Sequence, residues 1–305
     1  MTFDSRIFDA CALATSVSAV SLLLLLPLSR QLGLVDHPDQ FRKRHAFTTP
    51  VVGGLAIAIG MLAGWWYAGA FSKFEDAVIC TALMLVVVGV ADDLFNLKVS
   101  VRVIAQLAAI ATVVISSGVY IHSLGNLPGH ELTLGWLGIP FTVVAVSGLL
   151  NAFNLIDGMD GLAGCLTLVA AGGIEFLSNR HGSTMQLASV AVIAAAVLPY
   201  LAANLGLFGP KGKVFLGDAG SIMLGYLLAW SLIGMSQIAL AIAAGLSPTT
   251  LYRIEAAVRR TRASTLQRIA AALVEAAPGR WTVEGLTADL ATLAGMGRAP
   301  ESGFR

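Results

Sequence analysis

Eight long apolar runs dominate this sequence and restrict the folds that it can adopt. A helix needs about 20 mostly apolar residues to cross a bilayer, and its backbone polar groups must be hydrogen-bonded internally because lipid offers them no partner. The chain is 56% hydrophobic and 12% charged, which is unlike a soluble domain. The pattern predicts an all-α, polytopic membrane bundle of about eight spans in a lipid bilayer, followed by a small helical C-terminal segment. The runs cover about residues 7–28, 51–70, 76–91, 101–120, 134–153, 161–178, 186–203 and 219–235.

The connectors between the runs carry a topology signal. Of the eleven lysines and arginines in residues 1–235, seven lie in the connectors that follow odd-numbered runs and Arg102 opens run four, whereas the N-terminal stub and the remaining connectors hold Arg6, Lys73 and Arg180. Cationic connectors are retained in the cytoplasm. The N-terminus is therefore predicted to lie outside. Odd-numbered runs then end at the cytoplasmic face, and even-numbered runs begin there.

Three acidic clusters lie at the edges of these runs, all on the predicted cytoplasmic face. Carboxylates near hydrocarbon are tolerated when they are paired, hydrated or bound to a cation. Three of them on one face predict a site for a divalent metal and phosphate-bearing substrates. The clusters are Asp92-Asp93, the segment 151–161 with Asn154, Asp157 and Asp160, and the segment 215–220 with Phe215 and Asp218.

Each cluster also has a simpler interpretation. Asp92-Asp93 could be a solvated helix end beside Lys98 and Arg102, and Asp218 could cap the last run. The segment 151–161 is more specific than an ordinary turn, because it combines two amides, two carboxylates and two glycines. Helices that start near residues 101, 161 and 219 would point their positive ends toward the same face, which suits phosphate.

The first cytoplasmic connector mixes cations with two acids. It contains Asp36, Asp39 and the basic run from Arg42 to His45. The basic run could serve only to hold this connector inside, or it could also attract anionic substrates or lipid head groups. Both interpretations are compatible with the sequence.

Several ordered motifs resemble those of one enzyme family. They are Gly33-Leu-Val-Asp36-x-Pro with Arg42-Lys-Arg-His45, Asp92-Asp93, Asn151-Ala-Phe-Asn154-Leu-Ile-Asp157-Gly-Met-Asp160-Gly-Leu, and Leu198-Pro-Tyr through Asn204-Leu-Gly to Lys213-Val-Phe-Leu-Gly-Asp218-Ala-Gly-Ser. Over about residues 30–235 the chain resembles the polyprenyl-phosphate N-acetylhexosamine-1-phosphate transferases of glycosyltransferase family 4, and in particular the undecaprenyl-phosphate GlcNAc-1-phosphate transferase branch.

This resemblance implies an activity and a location. The phosphate of undecaprenyl phosphate would attack the β-phosphorus of a UDP-N-acetylhexosamine and release UMP, which starts lipid-linked cell-envelope polysaccharide synthesis of the O-antigen type. Mg²⁺, with Mn²⁺ as an alternative, would neutralise the pyrophosphate. The protein would be a multi-pass protein of the bacterial inner membrane, and a homodimer is left open.

The resemblance also implies roles for individual residues. Asp218 would be the metal ligand. Asp92 and Asp93 would handle the lipid phosphate or complete the metal and base environment, and Phe215 would stack on uracil. The catalytic set is Asp92, Asp93, Asp157 and Asp160, and the substrate-binding set is Asp36, His45, Asn154, Asn204, Lys213 and Phe215.

The sequence departs from this family at about residue 235. The family continues with further spans and a basic loop bearing a His-x-His-His motif, whereas here no histidine follows His181. We therefore expect a transferase domain at 1–235 that is truncated relative to the family and lacks one wall of its site, a different segment at 236–276, and a tail of unknown role at 277–305.

The segment 236–276 resembles a helix-turn-helix domain of the Cro/repressor class that begins truncated. In that class Gly245 would make the tight turn, and Thr249, Thr250 and Arg253 would face DNA. Binding to DNA requires that this segment is folded and cytoplasmic, yet eight spans from an outside N-terminus place residue 236 outside. A membrane-tethered DNA-binding regulator, an alanine-rich helical tail and an inactive fusion of two reading frames are the alternatives.

Overall fold

The computed structural model describes residues 5–36, 48–69, 72–127, 130–180, 184–209 and 212–243. Eight α-helices form in this part of the chain, and each coincides with one of the predicted apolar runs. The all-α fold is thereby confirmed. The helices are α1 (Ser5–Leu32), α2 (Gly53–Ala68), α3 (Lys73–Phe95), α4 (Val99–Ser117), α5 (Gly138–Ile156), α6 (Leu162–Arg180), α7 (Thr184–Asn204) and α8 (Gly217–Ala243).

Two short hairpins accompany the helices. Strand β1 (Val35–Asp36) pairs antiparallel with β2 (Thr49–Pro50), and β3 (Ser123–Leu127) pairs antiparallel with β4 (His130–Thr133). Phe215 joins the first hairpin, since its N–H donates to Pro50 O (2.8 Å) and its carbonyl accepts from Gly53 N–H (3.0 Å). The start of α2 is thereby fixed to the segment that leads into α8.

The helices differ in their capacity to cross a membrane. Within the described ranges, five are long and apolar enough to do so, and the three shorter apolar helices cover Gly53–Ala68, Leu162–Ser178 and Val190–Asn204. The predicted number of eight spans stays a prediction. The last helix also continues to Ala243, past the predicted end at residue 235, because the apolar and alanine-rich residues that follow favour a helix.

Helix α8 forms the centre of the bundle. Of its apolar window from Gly217 to Met235, 78% is buried, against 22–39% for the other four membrane-length helices. Its close approach to α2 and α3 depends on glycine, because a Cβ on Gly54 would overlap the backbone of Gly220 and a Cβ on Gly89 that of Ala219. The outer helices expose leucine, valine and phenylalanine side chains, as lipid-facing helices do.

A buried polar contact fixes α8 against two neighbours. The Tyr226 hydroxyl of α8 lies 2.7 Å from the Thr81 hydroxyl of α3 and donates to Ala109 O of α4 at 3.3 Å. Polar groups away from water are costly unless they are paired. These bonds therefore favour one rotation and height of α8 relative to α3 and α4.

The chain divides into two compact units, Met1–Ala239 and Leu240–Arg305. In the second unit the structure describes residues 240–243, which form the last turn of α8. Gly245 and the predicted DNA-facing residues Thr249, Thr250 and Arg253 lie outside the described residues.

Candidate active site

Asp92 lies in the last turn of α3 and is almost completely buried, with 6% of its side chain exposed. One carboxylate oxygen, Oδ1, accepts from Leu97 N–H (2.7 Å), and Oδ2 accepts from Arg102 Nη1 (2.7 Å). The helix ends just beyond it because Asn96 adopts a left-handed conformation with φ 49°. The three-residue connector to α4 brings Arg102 back over Asp92.

Asp218 lies in the first turn of α8, rather than capping the helix as one interpretation of the sequence proposed. Its Oδ2 is 3.2 Å from Arg102 Nη1, and its Oδ1 accepts from Asn154 Nδ2 at 2.6 Å. Asn154 Nδ2 also lies 3.1 Å from Ser221 Oγ. Side chains from the ends of α3, α4, α5 and α8 therefore meet at Asp218.

The amides at the start of α8 bind carboxylates of the protein itself. Asp218 N–H donates to Asp93 Oδ1 at 3.1 Å, and Gly217 N–H donates to the Asp157 carboxylate. In this structure the ends of α3 and α5 hold these carboxylates against the positive end of the helix. The predicted binding of phosphate at this helix end stays a prediction.

Asp157 directly follows the last residue of α5, and the pKa of its carboxyl group is strongly raised. Burial, as the largest cause, and the negative charges of Asp218 and Asp93 together raise its pKa to about 8, although the hydrogen bond from Gly217 opposes them. At neutral pH Asp157 therefore carries a proton for most of the time. We refer to Asp92, Asp93, Asp157 and Asp218 as the acidic cluster.

Asp160, Lys213 and Phe215 form a separate group at the rim of the site. Lys213 Nζ is 2.5 Å from Asp160 Oδ2 and 5.6 Å from the centre of the Phe215 ring. Asp160 is 54% exposed, so this ion pair contributes little to stability. The group presents a cation and an aromatic face beside the acidic cluster.

The buried side chain of Asn204 connects two backbone segments of the site. It is 4% exposed, its Oδ1 accepts from Gly161 N–H (2.5 Å) and its Nδ2 donates to Val214 O (2.8 Å). Both ends of its amide are thus bound to backbone, and they hold the segment 157–161 against the segment that leads through Phe215 into α8. Its predicted role in substrate binding stays a prediction.

The connector between α1 and α2 is attached to this end of the bundle through its two ends. Asp36 pairs with Thr49 in the β1–β2 hairpin, and β2 is bonded to Phe215. His45 and the rest of the basic run lie outside the described residues. The predicted roles of Asp36 and His45 stay predictions.

Arg102 is the main site residue that sequence analysis did not assign. The sequence indicates only a cation near a solvated helix end, whereas in the structure Arg102 bridges Asp92 and Asp218. Its spacing could have revealed this, because α3 and α4 are antiparallel and joined by three residues, so Asp92 and Arg102 come from adjacent turns at one end of the bundle. Ser221, one turn after Asp218, was also missed.

The donor atoms suit a hard divalent cation, although the cluster does not enclose one. Carboxylate and amide oxygens are the ligands that Mg²⁺ and Mn²⁺ prefer. Within the described ranges, no three carboxylate, imidazole or thiolate groups are close enough to hold a metal ion. A charged guanidinium lies between the Asp92 and Asp218 carboxylates.

The matched segment and these motifs place the chain in a known class. The chain belongs to glycosyl transferase family 4, whose family model matches residues 76–236. A helix-turn-helix family model matches residues 232–273, so the two matches overlap within α8.

Several individual proteins are similar to this chain over most of its length. The chain is similar to the undecaprenyl-phosphate alpha-N-acetylglucosaminyl 1-phosphate transferases of Escherichia coli (strain K12) and Shigella flexneri, each 34% identical over 234 residues that cover 74% of this chain and 64% of the relative. It is also similar to a probable undecaprenyl-phosphate N-acetylglucosaminyl 1-phosphate transferase of Bacillus subtilis, which is 34% identical over 227 residues that cover 72% and 62%. The chain thus spans a little under two thirds of the length of these relatives.

Proposed function

We propose that this protein transfers an N-acetylhexosamine 1-phosphate, GlcNAc 1-phosphate in the first instance, from its UDP-sugar to undecaprenyl phosphate. The observation that carries the proposal is the meeting of Asp92, Asp93, Asp157 and Asp218 at one end of the helix bundle, with Asn154 and Arg102 bound to them. The family match covers all of these residues. The substrates are those named for the similar transferases of Escherichia coli and Bacillus subtilis.

The reaction exchanges one phosphoryl bond for another. An oxygen of the lipid phosphate attacks the β-phosphorus of the UDP-sugar, the bond between that phosphorus and the bridging oxygen breaks, and UMP leaves with the electron pair. A magnesium or manganese ion held by Asp218, when bound, would neutralise charge on the pyrophosphate. The remaining contributions come from positioning and electrostatics of the protein's own groups.

The cations of the site would orient the anionic substrates. One nitrogen of Arg102 makes both described contacts, and a guanidinium has three nitrogens that carry five N–H donors. Lys213 lies over the half-buried Phe215 ring at the rim, and an aromatic ring can stack on a nucleobase. We assign Arg102 to the reacting phosphates, and Lys213 with Phe215 to the nucleotide.

Asp157 lies close to the negatively charged Asp93 and Asp218, and its protonated state suits this position. At neutral pH its neutral carboxyl reduces repulsion within the acidic cluster. We assign it to proton binding near the reacting phosphates, and Asp92 and Asp93 to the lipid phosphate side. The site would face the cytoplasm of the bacterial inner membrane, as the basic connectors indicate.

The products distinguish this reaction from ordinary glycosyl transfer. Purified protein in detergent with Mg²⁺, UDP-GlcNAc and undecaprenyl phosphate should release UMP, because the phosphate moves with the sugar. Omission of the lipid or addition of EDTA should abolish the release, as measured by chromatography of the nucleotides. Release of UDP, or UMP formation that does not depend on the lipid, would contradict the proposal.

The C-terminal segment supports a second, independent proposal, namely that it binds DNA. The observation in its favour is the helix-turn-helix match at residues 232–273. Such binding requires a cytoplasmic location, so a fluorescent reporter fused after Arg305 should fluoresce and a phosphatase fused there should be inactive. The opposite pattern, an active phosphatase and no fluorescence, would exclude this role and leave the transferase proposal unaffected.

A further inference from the structure

Arg102 has an unusual position, because it lies where a cation ligated by the acidic cluster would be expected. Its Nη1 atom is 2.7 Å from Asp92 Oδ2 and 3.2 Å from Asp218 Oδ2. Asp92 is 6% exposed, whereas Arg102 and Asp218 are 30% and 31% exposed. The guanidinium is thus anchored on a buried carboxylate and reaches a half-buried one.

Charge in this part of the structure is unbalanced. Among the described residues, Arg102 is the cation that forms ion pairs with the acidic cluster, while Lys213 pairs with Asp160 at the rim. Lys98 is exposed at the start of α4 and forms no ion pair with the acidic cluster in the described ranges. One guanidinium therefore faces four carboxyl groups.

Both oxygens of Asp218 are occupied in this arrangement. Oδ1 accepts from the neutral amide of Asn154, and Oδ2 is the one paired with Arg102. A divalent cation at Asp218 would therefore meet a resident positive charge a few ångströms away, and two cations this close repel each other strongly when they are partly shielded from water.

We propose that Arg102 is the counter-cation of the acidic cluster in the metal-free protein and that it competes with a divalent cation for the Asp218 carboxylate. This inference rests on the proposed function, which makes Asp218 the metal ligand. Arg102 then lowers the affinity of the site for the bare cation. A pyrophosphate group offers Arg102 another anionic partner, so the cation and the nucleotide sugar bind cooperatively, each raising the affinity for the other by the same factor.

The test is the affinity for Mn²⁺ without nucleotide, measured from the loss of the free-ion electron paramagnetic resonance signal in detergent. Arg102→Gln should bind Mn²⁺ about tenfold more tightly than the wild type, because the competing charge is gone. Lys98→Gln, which removes the same charge four residues earlier, should change the affinity by less than about twofold because exposed charges are screened. Unchanged or weaker binding by Arg102→Gln would overturn the proposal.

A second pair of variants covers the case in which Arg102→Gln does not fold, since it leaves Asp92 buried without its cation. Asp92→Asn and the double variant Asp92→Asn/Arg102→Gln leave no unpaired buried charge at Asp92, and both keep Asp218. The double variant should bind Mn²⁺ about tenfold more tightly than the single variant. Equal affinities would refute the competition, as would the absence of Mn²⁺ binding in every variant.

Transfer activity is measured separately and tells the two proposals apart. If the wild type releases UMP but the Mn²⁺ affinity is the same with and without Arg102, the counter-cation role is refuted and the transferase proposal remains intact. Tighter Mn²⁺ binding by Arg102→Gln, combined with a wild type that releases no UMP, would support the counter-cation role and refute the transfer.

Discussion

Replacement of Asp218 by asparagine should reduce lipid-dependent UMP release on the order of 10³-fold, the scale expected when one electrostatic contact to a developing charge is removed. The substitution takes away the carboxylate to which the divalent cation is assigned, while Asn154 can still donate to the remaining side-chain oxygen. Arg102 keeps its bond to Asp92. The fold should therefore survive, and the loss should appear in kcat and in Mn²⁺ binding.

Asp76→Asn is the matched control for this substitution. Asp76 lies exposed in the first turn of α3, 16 residues before Asp92 and about 24 Å away along the same helix. It should retain the wild-type rate of UMP release. Comparable activity of Asp218→Asn and Asp76→Asn would show that the Asp218 carboxylate does not serve the reaction.

The meeting of the acidic residues could be predicted from the order of the apolar runs. Asp92 and Asp93 follow the third run, Asp157 follows the fifth, and Asp218 directly precedes the eighth. In an alternating bundle these three positions share one face. The structure places their side chains within one cluster, where burial and then the charges of Asp218 and Asp93 raise the pKa of Asp157.

The partners of these residues could not be predicted in the same way. Helices α2, α3 and α8 are apolar around most of their circumference, so periodicity does not reveal which side of each helix faces its neighbour. Their rotation is set by contacts that act over long sequence separations, such as Gly89 against Ala219 and Thr81 with Tyr226. The bridge from Arg102 to Asp218 depends on this rotation.

Asn204 illustrates a second limit of sequence analysis. A buried amide that binds two backbone groups and an amide that binds a ligand look alike in a motif. The three-dimensional structure distinguishes them, because Gly161 and Val214 already use both ends of the Asn204 side chain. Such an amide fixes the distance between two loops of the site.

The contact between α3 and α8 gives the second large effect that we expect. Gly89 lies one turn before Asp93, and a Cβ added there would overlap the backbone of Ala219 next to Asp218. Backbone cannot yield as a flexible side chain can, so Gly89→Ala should push the two helices apart. We expect a loss of about 3 kcal/mol in the free energy of unfolding, at the upper end of the usual cost of overpacking.

The same displacement should act on catalysis, because it moves Asp218 away from Asp93 and Arg102. A shift of about 1 Å at a reacting centre can cost about 100-fold in rate, so residual folded Gly89→Ala protein should release UMP about 100-fold more slowly. Gly148→Ala in α5 is the matched control, since nothing lies within 4 Å of its added Cβ, and alanine favours a helix over glycine by about 1 kcal/mol. In detergent, Gly89→Ala should unfold at a lower temperature than Gly148→Ala and should release UMP more slowly. If the two variants unfold at the same temperature and release UMP equally fast, the close contact between α3 and α8 does not position the acidic cluster.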